Sequence, residues 1–432
     1  MFSVSFLSVA SSPARAIPRA HALLLALIAL GPPLALADAR SPLSLEDAVR
    51  LAEQQAPMLE ARRAAVESAS DAIGPAGQLP DPELVAGIDN LPVTTGDAFS
   101  LTDDFMTMRK VGVMQTFTRH AKRDARTQHA EAGAERARAL LLNERLSTRE
   151  ATAKAWIARW SAERRLALLQ SLRPRAEAQV AAATASLSGG RGSAADGIAA
   201  QSARAMLDDR ITQAQRDVDE ARADFARWLP DAAERELGDA PNWSDLGVSP
   251  DSILKHVGHH RELLTYDAME HAANADVELA RAEKKPDWTV EFDFAQRGPA
   301  YSNMISLAVH VPLPLFAAHR QDPLIASKLA AAAQVEAERA DALRMHTAEL
   351  SKGLAVWRSA LERMRRYDHE LLPLADDRAD AALAAYRGGR GEMQATLSAF
   401  NDAIEQRAAY AELLNALGQA WASLHFAFPQ EH

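Results

Sequence analysis

The chain contains no cysteine, and only 6% of its 432 residues are aromatic. The lack of thiols excludes a disulfide framework, a thiolate metal site and a lipid anchor on an N-terminal cysteine. After the first 37 residues, no apolar run approaches the roughly 20 residues that a membrane-spanning helix needs. The formal net charge of −10 disfavours nucleic acid as a partner, and we expect none.

The first 37 residues have the pattern of a secretory signal peptide. Arg15 and Arg19 precede a short apolar run at 22–30, and Ala35-Leu36-Ala37 has the small residues of a signal peptidase site. A membrane anchor is the alternative, but Gly31-Pro32-Pro33 interrupts the apolar run. We therefore predict cleavage after Ala37 and export from the cytoplasm.

A glycine-rich tetrapeptide occurs twice, about 200 residues apart. Gly189-Gly190-Arg191-Gly192 returns as Gly388-Gly389-Arg390-Gly391, and about 35 residues of helix-like sequence follow each copy. This spacing predicts a chain built from two similar halves. We expect a signal peptide at 1–37, a first repeat at 38–229, a linker at 230–249, a second repeat at 250–428 and a tail at 429–432.

Each half is predicted to hold one long helix and two short ones. The long helices cover about 119–187 and 323–386, and Pro174 is the one good stop signal in the first. The short helices are predicted from Ser44 to Pro75 or Pro80, at 194–228, at 250–282 and at 392–426. Two short helices placed end to end match one long helix in length. This match predicts that each long helix packs against two short ones, antiparallel across the glycine turn.

Between the first short helix and the long helix of each half, apolar and polar residues alternate. The pattern predicts a hairpin at 288–295 and 304–311, and a weaker one at 84–91 and 106–117. Strands of about 10 residues can cross a bilayer, although a half-buried soluble sheet would have the same pattern. Since four strands cannot close a barrel, we expect three copies to pool twelve strands.

The two glycine turns are the first candidate functional site. Neither is followed by Lys-Ser or Lys-Thr, which argues against a phosphate-binding loop and for a tight reversal between helices. Arg191 and Arg390 lie on these turns and are predicted to contact a partner protein, with simple solvation as the alternative. Asp196 would occur three times around the axis of a trimer and could form a gate; an acid that merely caps its helix is the alternative.

Methionines and histidines are the candidates for metal binding, and a structural or solvated role is the alternative for both. Thioethers suit soft ions such as cuprous or silver ions, but methionine in a strand is more often structural. The candidates are Met106, Met108, Met114 and Met304 in the predicted strands, and His256, His259 and His260 near a helix start. No cofactor is predicted. No catalytic constellation is present in the sequence, so we do not expect an enzyme.

Wider motifs surround the two turns. The first reads Gly192-Ser193-Ala194-Ala195-Asp196 and leads to Ala200-Gln201; the second reads Tyr386-Arg387-Gly388-Gly389 and leads to Leu397-Ser398-Ala399. They resemble the helix-reversal turns of the TolC-type outer-membrane efflux factor family, and the resemblance spans about 43–428. It implies a mostly α fold with a small β part, in which a trimer forms a 12-stranded outer-membrane barrel and a helical tunnel across the periplasm.

The resemblance also implies partners and a function. The family's channels work with a periplasmic adaptor and an inner-membrane pump, and they open by untwisting the inner helices at the tip. The stretch 87–92, with Met106-Thr107-Met108 and Val111-Gly112, is most similar to the branch that serves heavy-metal pumps of the resistance-nodulation-division type. The function implied is a passive exit duct for heavy-metal cations in the outer membrane of a Gram-negative bacterium.

Other functions stay open at this point. A duct for drugs or for type I protein secretion would need the same architecture. A periplasmic coiled-coil adaptor or scaffold is an alternative of a different class, although an adaptor normally has one helical hairpin. Many relatives carry a lipidated N-terminal cysteine, and this chain departs from them in having none.

Overall fold

The computed structural model describes residues 41–94 and 96–429, so the predicted signal peptide and its cleavage site lie outside the described residues. The described helices are α1 (Leu45–Gln55), α2 (Pro57–Asp71), α3 (Ile73–Ala76), α4 (His120–Gln170), α5 (Arg173–Ser188), α6 (Ala194–Ala226), α7 (Pro250–Lys255), α8 (Arg261–Glu283), α9 (Gln321–Arg366), α10 (Leu372–Arg387) and α11 (Met393–His425). The described strands are β1 (Glu83–Asp89), β2 (Met108–Phe117), β3 (Trp288–Gln296) and β4 (Met304–His310). The prediction of a mostly helical fold with four strands is confirmed.

The first predicted helix is three helices. Its start is as expected, because the Ser44 hydroxyl accepts a hydrogen bond from the backbone N–H of Asp47 at 3.1 Å. The chain then leaves the helix at Ala56, which is extended, and resumes at Pro57. Proline disfavours helical backbone in the residue before it, which explains the break. Continuous helix from Ser44 to Pro75 or Pro80 was therefore wrong.

Both long helices are interrupted, at equivalent places. Ser171 and Leu172 separate α4 from α5, and a π-helical turn, Tyr367–Leu371, separates α9 from α10. Pro174 and Pro373 follow these interruptions, each 15 residues before the first glycine of its turn. Proline lacks the N–H of the helical ladder and displaces the preceding turn. The expectation of unbroken helices at 119–187 and 323–386 is corrected accordingly.

The predicted helix at 250–282 is also divided. Helix α7 ends at Lys255, the short 3₁₀ turn Val257–His259 follows, and α8 begins after His260. His260 has extended backbone and a buried side chain, and its ring nitrogen caps α8 by accepting from the N–H of Glu262 at 3.4 Å. Burial of this side chain and the conformational freedom of Gly258 explain why the helix does not run through.

Each long helix packs against shorter ones, as predicted from their lengths. Helices α4 and α5 lie along α1, α2 and α6, and helices α9 and α10 lie along α8 and α11. The largest apolar core lies where the shorter helices meet, and it includes residues from the segment 229–246. Three indole N–H groups donate to backbone carbonyls in this core: Trp156 to Leu43 at 3.0 Å, Trp357 to Trp243 at 2.9 Å and Trp421 to Asp245 at 2.7 Å. These bonds hold the connecting segments against the helices.

The four strands form one antiparallel sheet in the order β1-β2-β3-β4. The two predicted hairpins join because β2 pairs with β3, with Phe117 opposite Trp288 and Gly112 opposite Asp293. Strands β1 and β4 are left as edges. One face of the sheet is apolar and open to solvent in the single chain: Leu84 is 76% exposed and Leu307 is 71% exposed.

Among the described helices, none is both long enough and apolar enough to span a membrane.

Candidate functional site

The two glycine turns have the same hydrogen-bond pattern. In the first, the N–H of Gly190 donates to the carbonyl of Leu187 at 3.0 Å, and the N–H of Arg191 donates to Ser186 at 3.0 Å. In the second, Gly389 donates to Tyr386 at 3.0 Å and Arg390 donates to Ala385 at 2.9 Å. This is the Schellman arrangement that closes a helix C-terminus. The repeated sequence therefore forms a repeated local structure.

Glycine is required at the centre of each turn. Gly190 has φ +70° and Gly389 has φ +69°, in the left-handed region that other residues adopt at a cost. Gly192 is required for space, since a Cβ there would lie 2.8 Å from the Ser186 hydroxyl oxygen. The interpretation of these residues as reversal glycines is supported by their geometry.

Arg191 and Arg390 both lie exposed at the surface of the turns. Each guanidinium folds back over its own turn, and a Cβ on Gly389 would lie 3.6 Å from an Arg191 Nη1 atom. The two turns are therefore neighbours within one chain. They present two guanidinium groups side by side at one end of the helices.

Asp196 has two local roles. Its carboxylate accepts from the backbone N–H of Ser193 at 3.1 Å, while the Ser193 hydroxyl accepts from the N–H of Asp196 at 3.2 Å, which is a capping box. The hydroxyl of Tyr386, from the other hairpin, donates to the same carboxylate at 3.5 Å. Asp196 therefore caps α6 and also joins the two hairpins.

A second connection between the hairpins was not predicted from the sequence. Asp376 of α10 accepts from Arg175 of α5 at 2.6 Å and from Arg407 of α11 at 2.6 Å. Arg175 also donates to Asp380 at 3.1 Å. Arg175 is about 200 residues from both acids, and Arg407 is 31 residues from Asp376. All of them sit on helices rich in charge, so nothing in the sequence distinguishes these acids from solvated ones.

A charged cluster lies on the polar face of the sheet. Lys110 on β2 lies 3.7 Å from Asp89, 3.6 Å from Glu291 and 4.0 Å from Asp293. His310 on β4 lies 3.0 Å from Glu291. The Asp293 carboxylate occupies the space that a side chain at Gly112 would need. Acids outnumber bases here.

The predicted histidine cluster does not come together. The rings of His256 and His259 lie 6.1 Å apart, whereas His260 turns inward and stacks on His346 at 4.1 Å. Among the described residues, no group of three or more histidines, cysteines, aspartates or glutamates could hold a metal ion. His346 lies on α9, and no sequence pattern indicated that it would meet His260.

His260 and His346 line a cleft of about 500 Å³. Burial, together with the charges of His346 and Arg261, lowers the pKa of His260 to about 4. Burial raises the pKa of Glu150 in the same cleft, but Lys154 and Arg261 outweigh it and hold that pKa below its usual range. His346 lies between Glu262 at 2.9 Å and Glu349 at 3.1 Å.

Three of the four methionines considered as metal ligands lie on the polar face of the sheet. The register places Met108 opposite Asp89, Met114 opposite Glu83 and Met304 opposite Ala295, all on the face that carries Lys110. Met106 lies in the loop before β2 and is exposed. The thioethers thus share a face with carboxylates, and the structure does not gather them into one site.

Solved structures resemble this arrangement of sheet and helices over nearly its whole length. The outer-membrane channel OprN matches with TM-score 0.73 and 16% identity, over 88% of this chain and 89% of that one. The outer-membrane protein VceC of Vibrio cholerae matches with TM-score 0.73 and 17% identity, over 89% of this chain and 95% of that one. CusC, a protein that forms a transmembrane channel, matches with TM-score 0.69 and 16% identity, over 89% of this chain and 92% of that one.

The chain has the fold of these outer-membrane channels. No family model matches it, and no curated protein matches it. In this chain the long helices run from the four-stranded sheet to the glycine turns, so the sheet and the turns lie at opposite ends of these helices. CusC is no more similar to this chain than OprN or VceC.

Proposed function

We propose that the protein is the outer-membrane channel component of a tripartite efflux system of the TolC type. It acts as a passive exit duct, and an inner-membrane resistance-nodulation-division pump supplies the energy through a periplasmic adaptor. The observation that carries this proposal is the exposed apolar face of a sheet at one end of long helical hairpins. A large exposed apolar face marks a membrane or protein contact. The similarity to outer-membrane channels favours a membrane, rather than another protein, as the contact of this face.

We propose a homotrimer as the working form. The sheet has an even number of strands and is antiparallel throughout, so β4 of one copy can pair antiparallel with β1 of the next. Three copies then close a twelve-stranded sheet and leave no unpaired edges. The apolar faces meet lipid, and the polar faces, with Lys110, Glu291 and Asp293, line the interior.

We propose that the glycine turns dock the adaptor. Arg191 and Arg390 are exposed and adjacent at the end of the helices, where a partner would approach. Replacing both with glutamate is expected to abolish efflux without lowering the yield of trimer. Arg204→Glu with Arg365→Glu, two exposed arginines away from the turns on α6 and α9, is the matched control and should leave efflux intact. Normal efflux by the double variant would show that these arginines do not contribute to the contact with the adaptor.

We also propose that Asp196 helps to hold the tip closed. Its contact with Tyr386, together with the ion pair between Arg175 and Asp376, ties the first hairpin to the second. The expected result for Asp196→Ala is a higher conductance of the resting channel in a planar bilayer. Tyr386→Phe removes the hydroxyl and leaves the cap of α6 intact, so it separates the connection from the capping role. An unchanged closed state in both variants argues against a gate.

For the substrate, we propose heavy-metal cations. The support is the resemblance of 87–92 to the heavy-metal branch and the placing of three methionines with carboxylates on the polar face. Thioethers interact with soft cations. Deleting the gene should lower tolerance to copper or silver salts more than tolerance to drugs. The reverse result would favour a drug duct.

The decisive experiment examines the mature protein in the outer membrane. Extracted in mild detergent, it should run as a heat-sensitive trimer and conduct ions in a planar bilayer. A soluble monomer without conductance would overturn the proposal and favour the adaptor or scaffold.

A further inference from the structure

The apolar sheet face ends at a pair of stacked aromatic rings. Phe117 ends β2 and Trp288 begins β3, and their ring centroids lie 4.5 Å apart. Aromatic side chains of this kind favour the boundary between hydrocarbon and water. Directly beyond them, α4 begins at His120, and the guanidinium of Arg119 donates to the carbonyl of Pro286 at 2.9 Å. The sheet-to-helix junction thus lies just past an aromatic border.

Positive charge concentrates at this junction. The segments 119–126 and 278–287 carry seven lysines and arginines against four acids, in a chain whose net charge is −10. We call the seven cations the basic belt: Arg119, Lys122, Arg123, Arg126, Arg281, Lys284 and Lys285. Each copy therefore has a local charge of about +3. Three copies would form a continuous positive ring beneath the apolar face.

Four members of the basic belt line a cleft of about 440 Å³ between the start of α4 and the end of α8: Arg119, Lys122, Arg281 and Lys285. The acids near the cleft are already engaged. Asp287 lies 2.9 Å from Lys122, and Glu278 lies 2.6 Å from Arg281. Among the described residues, the ammonium group of Lys285 has no ion-pair or hydrogen-bond partner, and its side chain is exposed. The cleft is therefore positive and open, and its wall is more apolar than polar.

Helix stability alone does not explain these cations. Arg281 and Lys284 sit at the C-terminus of α8, where basic side chains offset the helix dipole. Arg119, Lys122 and Arg123 sit at the N-terminus of α4, where the dipole is positive and basic side chains are unfavourable. That terminus has no side-chain cap and no acid in its first turn. The carboxylate of Asp287 accepts from the backbone N–H of Arg119 at 3.3 Å and offsets part of this positive charge, and an anion in the cleft would offset the rest.

We propose that this cleft binds the phosphate of an anionic membrane phospholipid whose acyl chains lie along the apolar sheet face. The inference deepens the proposed function, since it rests on the sheet lying in a membrane. Charge complementarity identifies the headgroup, and continuity with the aromatic border and the apolar face identifies a lipid. The basic belt then fixes the depth of the sheet in the bilayer.

The test compares two lipids on the intact trimer in neutral detergent. Short-chain phosphatidylglycerol should bind at least fivefold more tightly than the phosphatidylcholine of equal chain length, by native mass spectrometry. The preference should weaken as salt rises, because exposed charges are screened. Arg281→Gln with Lys285→Gln should abolish this preference by lowering phosphatidylglycerol affinity about fivefold, and should leave phosphatidylcholine affinity unchanged.

The matched control is Lys255→Gln with Arg365→Gln, two exposed cations outside the basic belt. It makes the same change in net charge and should leave both affinities unchanged. Equal binding of the two lipids, or equal loss in both double variants, would overturn the proposal. Displacement of phosphatidylglycerol by inorganic phosphate at matched ionic strength would identify a phosphate site rather than a lipid site, which also overturns it.

Conductance separates this inference from the function on which it rests. A trimer that conducts but shows no preference for phosphatidylglycerol retains the duct and loses the lipid site. A protein that does not conduct in any bilayer loses the duct, whatever it binds.

Discussion

At the scale of single residues, the turn glycines have the clearest physical requirement. The left-handed backbone of Gly190 and Gly389 costs about 1 kcal/mol or more for any residue with a Cβ. Gly190→Ala and Gly389→Ala should each lower the free energy of unfolding by about that amount. Gly197→Ala makes the same chemical change inside α6 with open space around it, so it should stabilise the protein. Denaturant titration of all three variants measures this, and equal effects would contradict the assignment.

His260 provides a pH-dependent prediction. Its folded pKa of about 4 lies below the ordinary 6.5, so between these values the unfolded chain binds more protons at this residue than the folded chain. Stability should therefore rise with pH from about 4 to 6.5, by an amount on the order of 3 kcal/mol from this group. His346, Arg261, Glu150 and Glu262 face the ring and shape the same curve.

His260→Phe keeps an aromatic ring on His346 and removes the proton. Its unfolding free energy should change less between pH 4.5 and 6.5 than that of the native protein. The pKa of Glu150 is lowered in the folded protein, so both proteins should also lose stability as the pH falls below the ordinary range of a carboxylate pKa. If the unfolding free energies of the native protein and the variant change in parallel with pH above pH 5, the role of His260 is refuted.

At the scale of elements, the close approach of α11 to α4 rests on one small residue. A Cβ on Gly418 would lie 2.6 Å from Ile157 Cγ2 and 3.2 Å from the Trp243 ring. Both neighbours are buried in the largest core, so they have little room to move. Gly418→Ala should cost about 1–3 kcal/mol in spite of the better helix propensity of alanine. Gly133→Ala in α4, where the space around the residue is open, should stabilise the protein. Thermal unfolding of both variants measures the difference. A stabilised Gly418→Ala would show that the helices can separate.

Sequence reasoning was strongest for elements and weakest for the contacts between them. Alternation in 288–295 fixed the sheet face at each position, because the side-chain period of a strand is two. The breaks before Pro57, Pro174 and Pro373 were readable from proline chemistry once the helix was known to be long. The break at His260 could not be predicted from the sequence, because it depends on the contact with His346, 86 residues later. The ion pairs of Asp376 were likewise invisible among scattered charges.

At the scale of the whole molecule, the two faces of the sheet must meet different media. Leu307→Lys puts a charge on the apolar face, and Ser306→Lys puts the same charge one residue away on the polar face, opposite Asp293. The first should cost about 2–4 kcal/mol if that face meets lipid, and should remove the protein from outer-membrane extracts. The second should leave trimer yield unchanged. Yield of heat-sensitive trimer measures both, and equal loss would contradict the assignment of the faces.

The interruption shared by both long helices has a consequence for insertions and deletions. Pro174 and Pro373 lie the same number of residues from their turns, so the two hairpins end level. One extra residue in α10 would advance its turn by about 1.5 Å and rotate it by about 100°. Tyr386 would then face away from Asp196, and Arg191 would no longer lie beside Gly389. Such a change in one half can be tolerated only if the other half acquires its match, so the two hairpins are bound to lengthen or shorten together.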